Sequence, residues 1–326
     1  MGKTLVTGAT GFTGKALCTR LVKEGNQVVA FVRPTSRIDA LAALGVECRR
    51  VEIKNPVDVK DNFSGIKQVY HLAAAYRTEH VNNNEFTLVN VEATGNLLEA
   101  AKAANVDRFV HCSTVGVQGE ISDPPADENY RFKPGDHYQE SKLEGELLAR
   151  KYFSAGMPGV IVRPVGIYGP GDTRFLKLFR PINRGYFVMI GSGNVLYHMT
   201  YIDDLVEGFV LAGGKPEALG EVFTFAGDQY TTILKLVNMI ADVLGKPHRR
   251  PRLPFFPVYI SAVLCDKICR PLGISPPLYP RRVEFFQLDR AFSIDKARTF
   301  LGYEPRVNLR EGLARTADWY EKQGLL

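Results

Sequence analysis

In this sequence of 326 residues, a phenol and an ammonium stand four residues apart in Tyr138-Gln139-Glu140-Ser141-Lys142. On a helix that spacing puts both on one face. The ammonium there lowers the phenol pKa from its ordinary value near ~10 and fits it to exchange a proton with a carbonyl or hydroxyl oxygen. An exposed i, i+4 pair would have the same spacing, so the pentad needs a context. Upstream, His111-Cys112-Ser113-Thr114 ends a predicted parallel strand, the edge at which such sheets bind ligands. A Thr114 hydroxyl placed there can polarise the oxygen that Tyr138 protonates.

A second constellation follows the β-branched run Thr4-Leu5-Val6-Thr7: Gly8-Ala9-Thr10-Gly11-Phe12-Thr13-Gly14, then a helical pattern. Glycines let the backbone turn tightly and approach a pyrophosphate, whose charge suits the free N–H groups and dipole of a helix N-terminus. The next strand, Val28 to Val32, runs into Arg33-Pro34-Thr35-Ser36-Arg37. NAD binders usually carry an acid here for the adenosine ribose, whereas a 2′-phosphate would be repelled by an acid and welcomed by arginine. With Val32 in the acid's place, Arg33 and Arg37 point to NADP(H) as the favoured cofactor, NAD(H) remaining the alternative. Cys112 reads as core packing rather than a nucleophile. The histidines show neither HxH nor HExxH spacing, so no metal site is expected.

These residues require a frame. Short runs at 4–7, 28–32, 46–53, 69–72, 108–111 and 159–162 alternate with amphipathic stretches such as 14–24 and 92–104, the pattern of a parallel sheet covered on both faces. The predicted class is α/β, a Rossmann-type doubly wound sheet over 1–165 plus about 196–228, with a smaller, mostly helical substrate lobe from 166–195 and 229–326. Hydrophobic residues at 45% and charged residues at 23% exclude disorder. The charge of +6, from 41 basic and 35 acidic residues, is dispersed, unlike that of a nucleic-acid binder. Five scattered cysteines without a CxxC pair argue for a reducing, cytoplasmic setting, and the opening residues lack a secretory signal. The apolar run 255–265 is about half the roughly 20 residues a spanning helix needs. The segment 253–265 reads as a lobe helix lining the substrate pocket, or as a membrane-surface contact with Arg249, Arg250 and Arg252 meeting anionic lipid.

Several motifs occur in order: TGATGFTG at 7–14, His71-Leu72-Ala73-Ala74, Asn90 in NVEATGNLLEA, CST at 112–114, YQESK at 138–142, Arg163-Pro164-Val165-Gly166-Ile167-Tyr168-Gly169-Pro170-Gly171-Asp172, and Tyr201-Ile202-Asp203-Asp204. Together they resemble the extended short-chain dehydrogenase/reductase family, the NAD-dependent epimerase/dehydratase group, over nearly the whole chain. The resemblance implies that Gly8, Thr10, Gly11, Phe12 and Gly14 shape the pyrophosphate turn, that Glu52 and Ile53 lie beside the adenine, and that Leu72, Ala73 and Ala74 line the cofactor cleft. It makes Thr114 the family's catalytic Ser or Thr, with Ser113 a weaker candidate. Tyr138 becomes the acid/base, Lys142 also a holder of the nicotinamide ribose, and Pro164 and Val165 the border of the nicotinamide.

Departures from the family narrow the chemistry. Dehydratases resemble one another in an Asp-Glu pair after the Thr, where Val115 and Gly116 stand here, and decarboxylating relatives carry a Glu at the second place. Members that bind nucleoside diphosphates tend to have Asn at the place of Gly166 and Arg near Tyr197. The segment 196–204, the VRPTS turn and the FSIDKARTFLGYEP ending are similar instead to the sterol and 3β-hydroxysteroid dehydrogenase branch, beside a bacterial branch of hopanoid-associated and dihydroflavonol-reductase-like members. The first expectation is therefore an oxidoreductase acting on a secondary alcohol or ketone of a bulky apolar small molecule. A nucleotide-sugar epimerase is the alternative, and a non-catalytic NADP(H) sensor or assembly protein the third. Phe255, Phe256, Val258, Tyr259, Phe285 and Phe286 are expected to cap the substrate, and a homodimer is left open.

Overall fold

The computed structural model describes residues 2–76, 83–274 and 276–326. Seven parallel strands form its main sheet: β1 (Lys3–Thr7), β2 (Val28–Val32), β3 (Glu47–Arg50), β4 (Ile66–His71), β5 (Arg108–Cys112), β6 (Gly159–Pro164) and Val222–Phe225. Their spatial order is Val222–Phe225, β6, β5, β4, β1, β2, β3, a Rossmann-like arrangement. The strand order reverses at β1, which lies between β4 and β2, and ligands of open α/β sheets bind at such a switch point.

Successive strand residues enter two different cores. Leu5, Val29, Val69 and Phe109 pack on one face, while Val6, Ala30, Tyr70 and Val110 pack on the other. The period of two therefore buries every position of β2 and β6, which is why these strands read as unbroken apolar runs.

The third strand is shorter than the 46–53 expected. After Val51 N–H bonds Val32 C=O, the Glu52 N–H is captured by the Asp58 carboxylate at 2.6 Å. The chain then turns into the helix Pro56–Asp61, capped by Asn55. The helix expected at 92–104 spans Ala93–Ala103 and is preceded by a wider π-helical turn, Leu88–Glu92.

Beyond Pro164, Gly166–Tyr168 pairs with Met199–Tyr201, and Leu196–Tyr197 pairs with Thr231–Thr232. The return to the main sheet is made by the helix Ile202–Gly214 and the strand Val222–Phe225. Helices Leu176–Asn183 and Leu309–Lys322 pack on Ile233–Val243, with Phe179 and Tyr320 edge to face at 5.2 Å. A further helix, Phe255–Cys269, rests on Pro280–Glu284. No described helix is long and apolar enough to cross a membrane.

Candidate active site

The glycine turn lies at the switch point and is shaped by contacts a side chain would destroy. Gly8 has a φ of +70°, and a Cβ there would come within 2.8 Å of the Ala73 nitrogen. A Cβ on Gly14 would approach the Gly8 carbonyl oxygen to 2.2 Å. Gly11 caps the helix Phe12–Lys23 without a side-chain bond, and no acid lies in its first turn. The leading N–H groups are thus left for an external anion, and the cradle fits a dinucleotide pyrophosphate. Thr10 and Gly11 are exposed at its rim, and Phe12 lies under the Arg174 guanidinium, 5.7 Å from its ring centre.

Arg33 and Arg37 are exposed in the turn after β2. Arg50 joins them from a distant part of the sequence. Strand register sets it beside Val32, and its guanidinium holds the Pro34 carbonyl, so a third cation flanks the same turn. Only a pairing between sequence-distant strands brings it there. Glu52 and Ile53 follow β3 at the same sheet edge, where Asn96 donates to the Ile53 and Lys54 carbonyls at 3.1 Å.

Asp136 caps the helix His137–Ser154 by accepting from Gln139 N–H, which places Tyr138 and Lys142 in its first turns. The Tyr138 ring meets Tyr76 edge to face at 5.2 Å and Phe86 at 6.1 Å. Lys142 is buried, and its Nζ donates to the Cys112 carbonyl at the end of β5, 2.7 Å away. Burial lowers its pKa, partly opposed by Cys112 and Glu146. One of three ammonium protons is committed to Cys112, leaving two for other acceptors. Thr114 caps the short turn Val115–Gln118 by accepting from Gly116 N–H at 3.1 Å. Its hydroxyl keeps its proton available, while Ser113 is buried one residue earlier.

A buried chain of hydrogen bonds joins the glycine turn to the Tyr138 helix. The Ala73 N–H donates to Thr7 Oγ1 at 3.1 Å, and Thr94 Oγ1 donates to the Asn90 carbonyl at 2.9 Å. Those two bonds orient the rest: Thr7 donates to His71 Nδ1 at 2.8 Å, and His71 Nε2–H donates to Thr94 Oγ1 at 2.9 Å. Burial, reinforced by Lys142, lowers the His71 pKa to about 3 and keeps the ring neutral. Asn90 then holds the Ala75 N–H at 2.8 Å and Ser141 Oγ at 2.9 Å, and Ser141 donates to the Tyr138 carbonyl at 2.9 Å. Gly145 permits this approach, since a Cβ there would lie 2.2 Å from the Asn90 oxygen. No local spacing announces these partners.

Pro164 and Val165 are buried where β6 ends, with Val165 N–H bonded to Phe225 C=O at 3.3 Å. Next comes Gly166, where a Cβ would stand 2.7 Å from the Tyr197 hydroxyl. That phenol fills the space an amide side chain would need. Tyr197 packs on Phe285 at 5.1 Å and Phe175 at 6.4 Å, and burial pushes its pKa up to about 12. Arg290, not singled out from sequence, lies over the Phe285 ring at 5.8 Å. Arg174 is drawn to Asp172 at 2.6 Å and Arg281 to Asp136. The expected cap is only partly present: Phe285 and Phe286 pack together at 5.3 Å beside Tyr197, but Phe256 is 72% exposed. Its helix buries only Ala262, so Phe256 faces solvent. Cys265 and Cys269 lie 3.8 Å apart as free thiols. No metal-ligating group of His, Cys, Asp and Glu occurs among the described residues.

A dinucleotide cradle at the switch point, facing a phenol and an ammonium on one helix, defines an α/β nucleotide-dependent enzyme. The chain belongs to the NAD dependent epimerase/dehydratase family, whose model matches residues 4–226. It is 32% identical to a 3-beta-hydroxysteroid dehydrogenase of Mycolicibacterium neoaurum, over 98% of this chain and 92% of that protein. It is 31% identical to an uncharacterised UDP-glucose epimerase of Bacillus subtilis (strain 168), over 95% of each chain. The fold matches that of UDP-glucuronic acid 4-epimerase from Bacillus cereus in complex with NAD, with a TM-score of 0.78 and 29% identity over 98% of this chain and 99% of that one. The protein is accordingly an NAD(P)-dependent enzyme, with relatives among both sterol dehydrogenases and nucleotide-sugar epimerases.

Proposed function

We propose that this enzyme is an NADP(H)-preferring oxidoreductase acting on a secondary alcohol or ketone of a bulky apolar substrate, sterol-like in size, in a reducing cytoplasmic setting. The nucleotide-binding unit of this reading is 1–165 with about 196–228, and 166–195 with 229–326 hold the substrate. The observation that carries the substrate class is the Tyr197 hydroxyl in the side-chain space of Gly166. It removes room for an amide donor to a diphosphate, and Phe285 and Phe175 surround the same phenol. A diphosphate left without charge-assisted donors would bind poorly there, while an apolar body gains from burial. The kinship with a 3-beta-hydroxysteroid dehydrogenase points the same way.

In this reading Gly8, Gly11 and Gly14 seat the pyrophosphate, Leu72, Ala73 and Ala74 line the cleft, and Pro164 and Val165 border the nicotinamide. A nicotinamide bound there would supply the hydride to the carbonyl carbon, or take it from the carbinol carbon in the reverse direction. Tyr138 gives its phenolic proton to the carbonyl oxygen during reduction and takes it back during oxidation. Thr114 orients that oxygen, and Lys142 stabilises the phenolate and holds the ribose.

Calorimetry tests the substrate class. Steroid-like ketones are expected to bind the cofactor-loaded enzyme with a larger negative heat-capacity change than any UDP-sugar. Micromolar binding of UDP or GDP, competitive with substrate, would instead support the epimerase reading.

Cofactor preference is a separate expectation. Arg33, Arg37 and Arg50 flank the place of an adenosine 2′-phosphate, and a charge-assisted bond contributes about 1.5–3 kcal/mol. NADPH is expected to bind about tenfold or more tightly than NADH, and Arg33→Asp to remove most of that difference. Equal dissociation constants for the two cofactors in the unmutated enzyme would refute it.

A further inference from the structure

Large apolar side chains are concentrated on one outer face of the lobe. Phe256, Ile260, Leu264, Ile268 and Leu272 recur every fourth residue along Phe255–Cys269 and the turn after it, and each is between 55% and 72% exposed. Leu253 and Ile274 extend the stripe at its two ends. A helix this apolar is ordinarily buried in a core, yet only Ala262 is fully buried here. Isolated exposed apolar residues are commonplace, whereas a contiguous patch marks an interaction surface.

The charge around the stripe selects its partner. Residues 246–274 carry Lys246, Arg249, Arg250, Arg252, Lys267 and Arg270 against a single acid, Asp266, and Asp266 is already paired with Arg270 at 2.8 Å. At the foot of the helix a cavity of about 230 Å³ is lined by Arg249, Arg250, Arg252, His248 and Asn238 over an apolar floor. Beside it the Nε and Nη2 of Arg250 are buried without a hydrogen-bond acceptor, while Arg249 and Arg252 are exposed. The exposed Arg249 and Arg252 thus set positive charge beside the start of the stripe. A second copy of the chain suits this surface poorly, since both ends of the helix are basic and either pairing direction would bring like charges together. At 15 residues the helix is about 22 Å long, too short to span a bilayer and suited to lie in its interface.

We infer that the helix Phe255–Cys269 docks on an anionic lipid surface, its apolar stripe entering the acyl boundary and the Arg249–Arg252 cavity receiving a headgroup phosphate. The inference is independent of the substrate reading, because sedimentation with vesicles reads the surface and not turnover. The full chain is expected to co-sediment with vesicles of phosphatidylcholine mixed with phosphatidylglycerol, and about tenfold more weakly with phosphatidylcholine alone. Two double variants separate the contributions. Ile260→Asp with Leu264→Asp should abolish sedimentation, and Arg249→Glu with Arg252→Glu should remove the preference for anionic vesicles. All four side chains are exposed, so circular dichroism and thermal midpoints should stay unchanged. Failure of the unmutated chain to sediment with anionic vesicles would overturn the proposal, as would undiminished binding by the aspartate variant. A dimer in sedimentation velocity that this variant dissociates, with no vesicle binding, would assign the stripe to a second copy instead.

Discussion

Replacing Tyr138 with phenylalanine is expected to lower kcat by ~100-fold or more, the scale of losing a positioned general acid or base, while the affinity for cofactor stays nearly unchanged. The two halves of that result have separate structural causes. The phenylalanine ring keeps the edge-to-face contacts with Tyr76 and Phe86, so the helix start and the cleft wall survive. Lys142 stays tethered because its bond runs to the Cys112 carbonyl, and its hold on a ribose does not need the phenol. What disappears is the proton that must reach the substrate oxygen. Lys142→Met should behave differently, weakening both kcat and cofactor binding, since one ammonium serves both tasks. Stopped-flow turnover together with fluorescence titration of the cofactor distinguishes the two variants. Normal turnover by Tyr138→Phe on the true substrate would remove Tyr138 from the reaction.

The parts of the site that were legible in the sequence are those written in local spacing. A glycine turn between strand and helix constrains backbone within eight residues, and Tyr138 and Lys142 are one helical turn apart. Thr114 is set by the end of a strand. The rest is non-local. Arg50 reaches the turn after Val32 only through strand pairing, and His71, Thr94, Asn90 and Ser141 become one hydrogen-bonded chain only when β4 and two helices pack. The outward turn of Phe256 was illegible for another reason. Large apolar residues lie on more than one side of its helix, so composition names no inner face, and only the packing makes Ala262 the fully buried residue. Gly166 and Tyr197 could be named separately from the resemblance, but that one fills the other's space is a fact of three dimensions.

The largest stability effect is expected at Arg163, a residue whose sequence context gives no hint of its burial. Its guanidinium is fully buried on β6, bonded to Glu146 at 2.6 Å and 3.0 Å and to the Glu128 carbonyl at 3.0 Å. Glu146 lies on the Tyr138 helix, so this pair bolts that helix to the strand that ends in Pro164. Burial opposes ionisation of Glu146, yet the Arg163 bonds and charge prevail and hold its pKa below the ordinary carboxylate value. The depressed folded pKa makes the pair's contribution complete above the unfolded value, near ~4.5, and progressively lost as pH falls through the folded one. Arg163→Met should destabilise the protein by about 3–5 kcal/mol at neutral pH, because it strands a buried carboxylate whose remaining charged partner, Arg150, is partly exposed. The sign of the pH dependence then reverses. Glu146 in the variant binds its proton more readily folded than unfolded, so the deficit should shrink as pH is lowered from 8 toward 5. Glu146→Gln leaves Arg163 charged at every accessible pH and should show no such recovery. The double variant Glu146→Leu with Arg163→Met, having no stranded charge, should be more stable than either single one. Urea unfolding across that pH range measures all three, and a deficit in Arg163→Met that does not change with pH would show that lost packing, rather than the stranded carboxylate, is responsible.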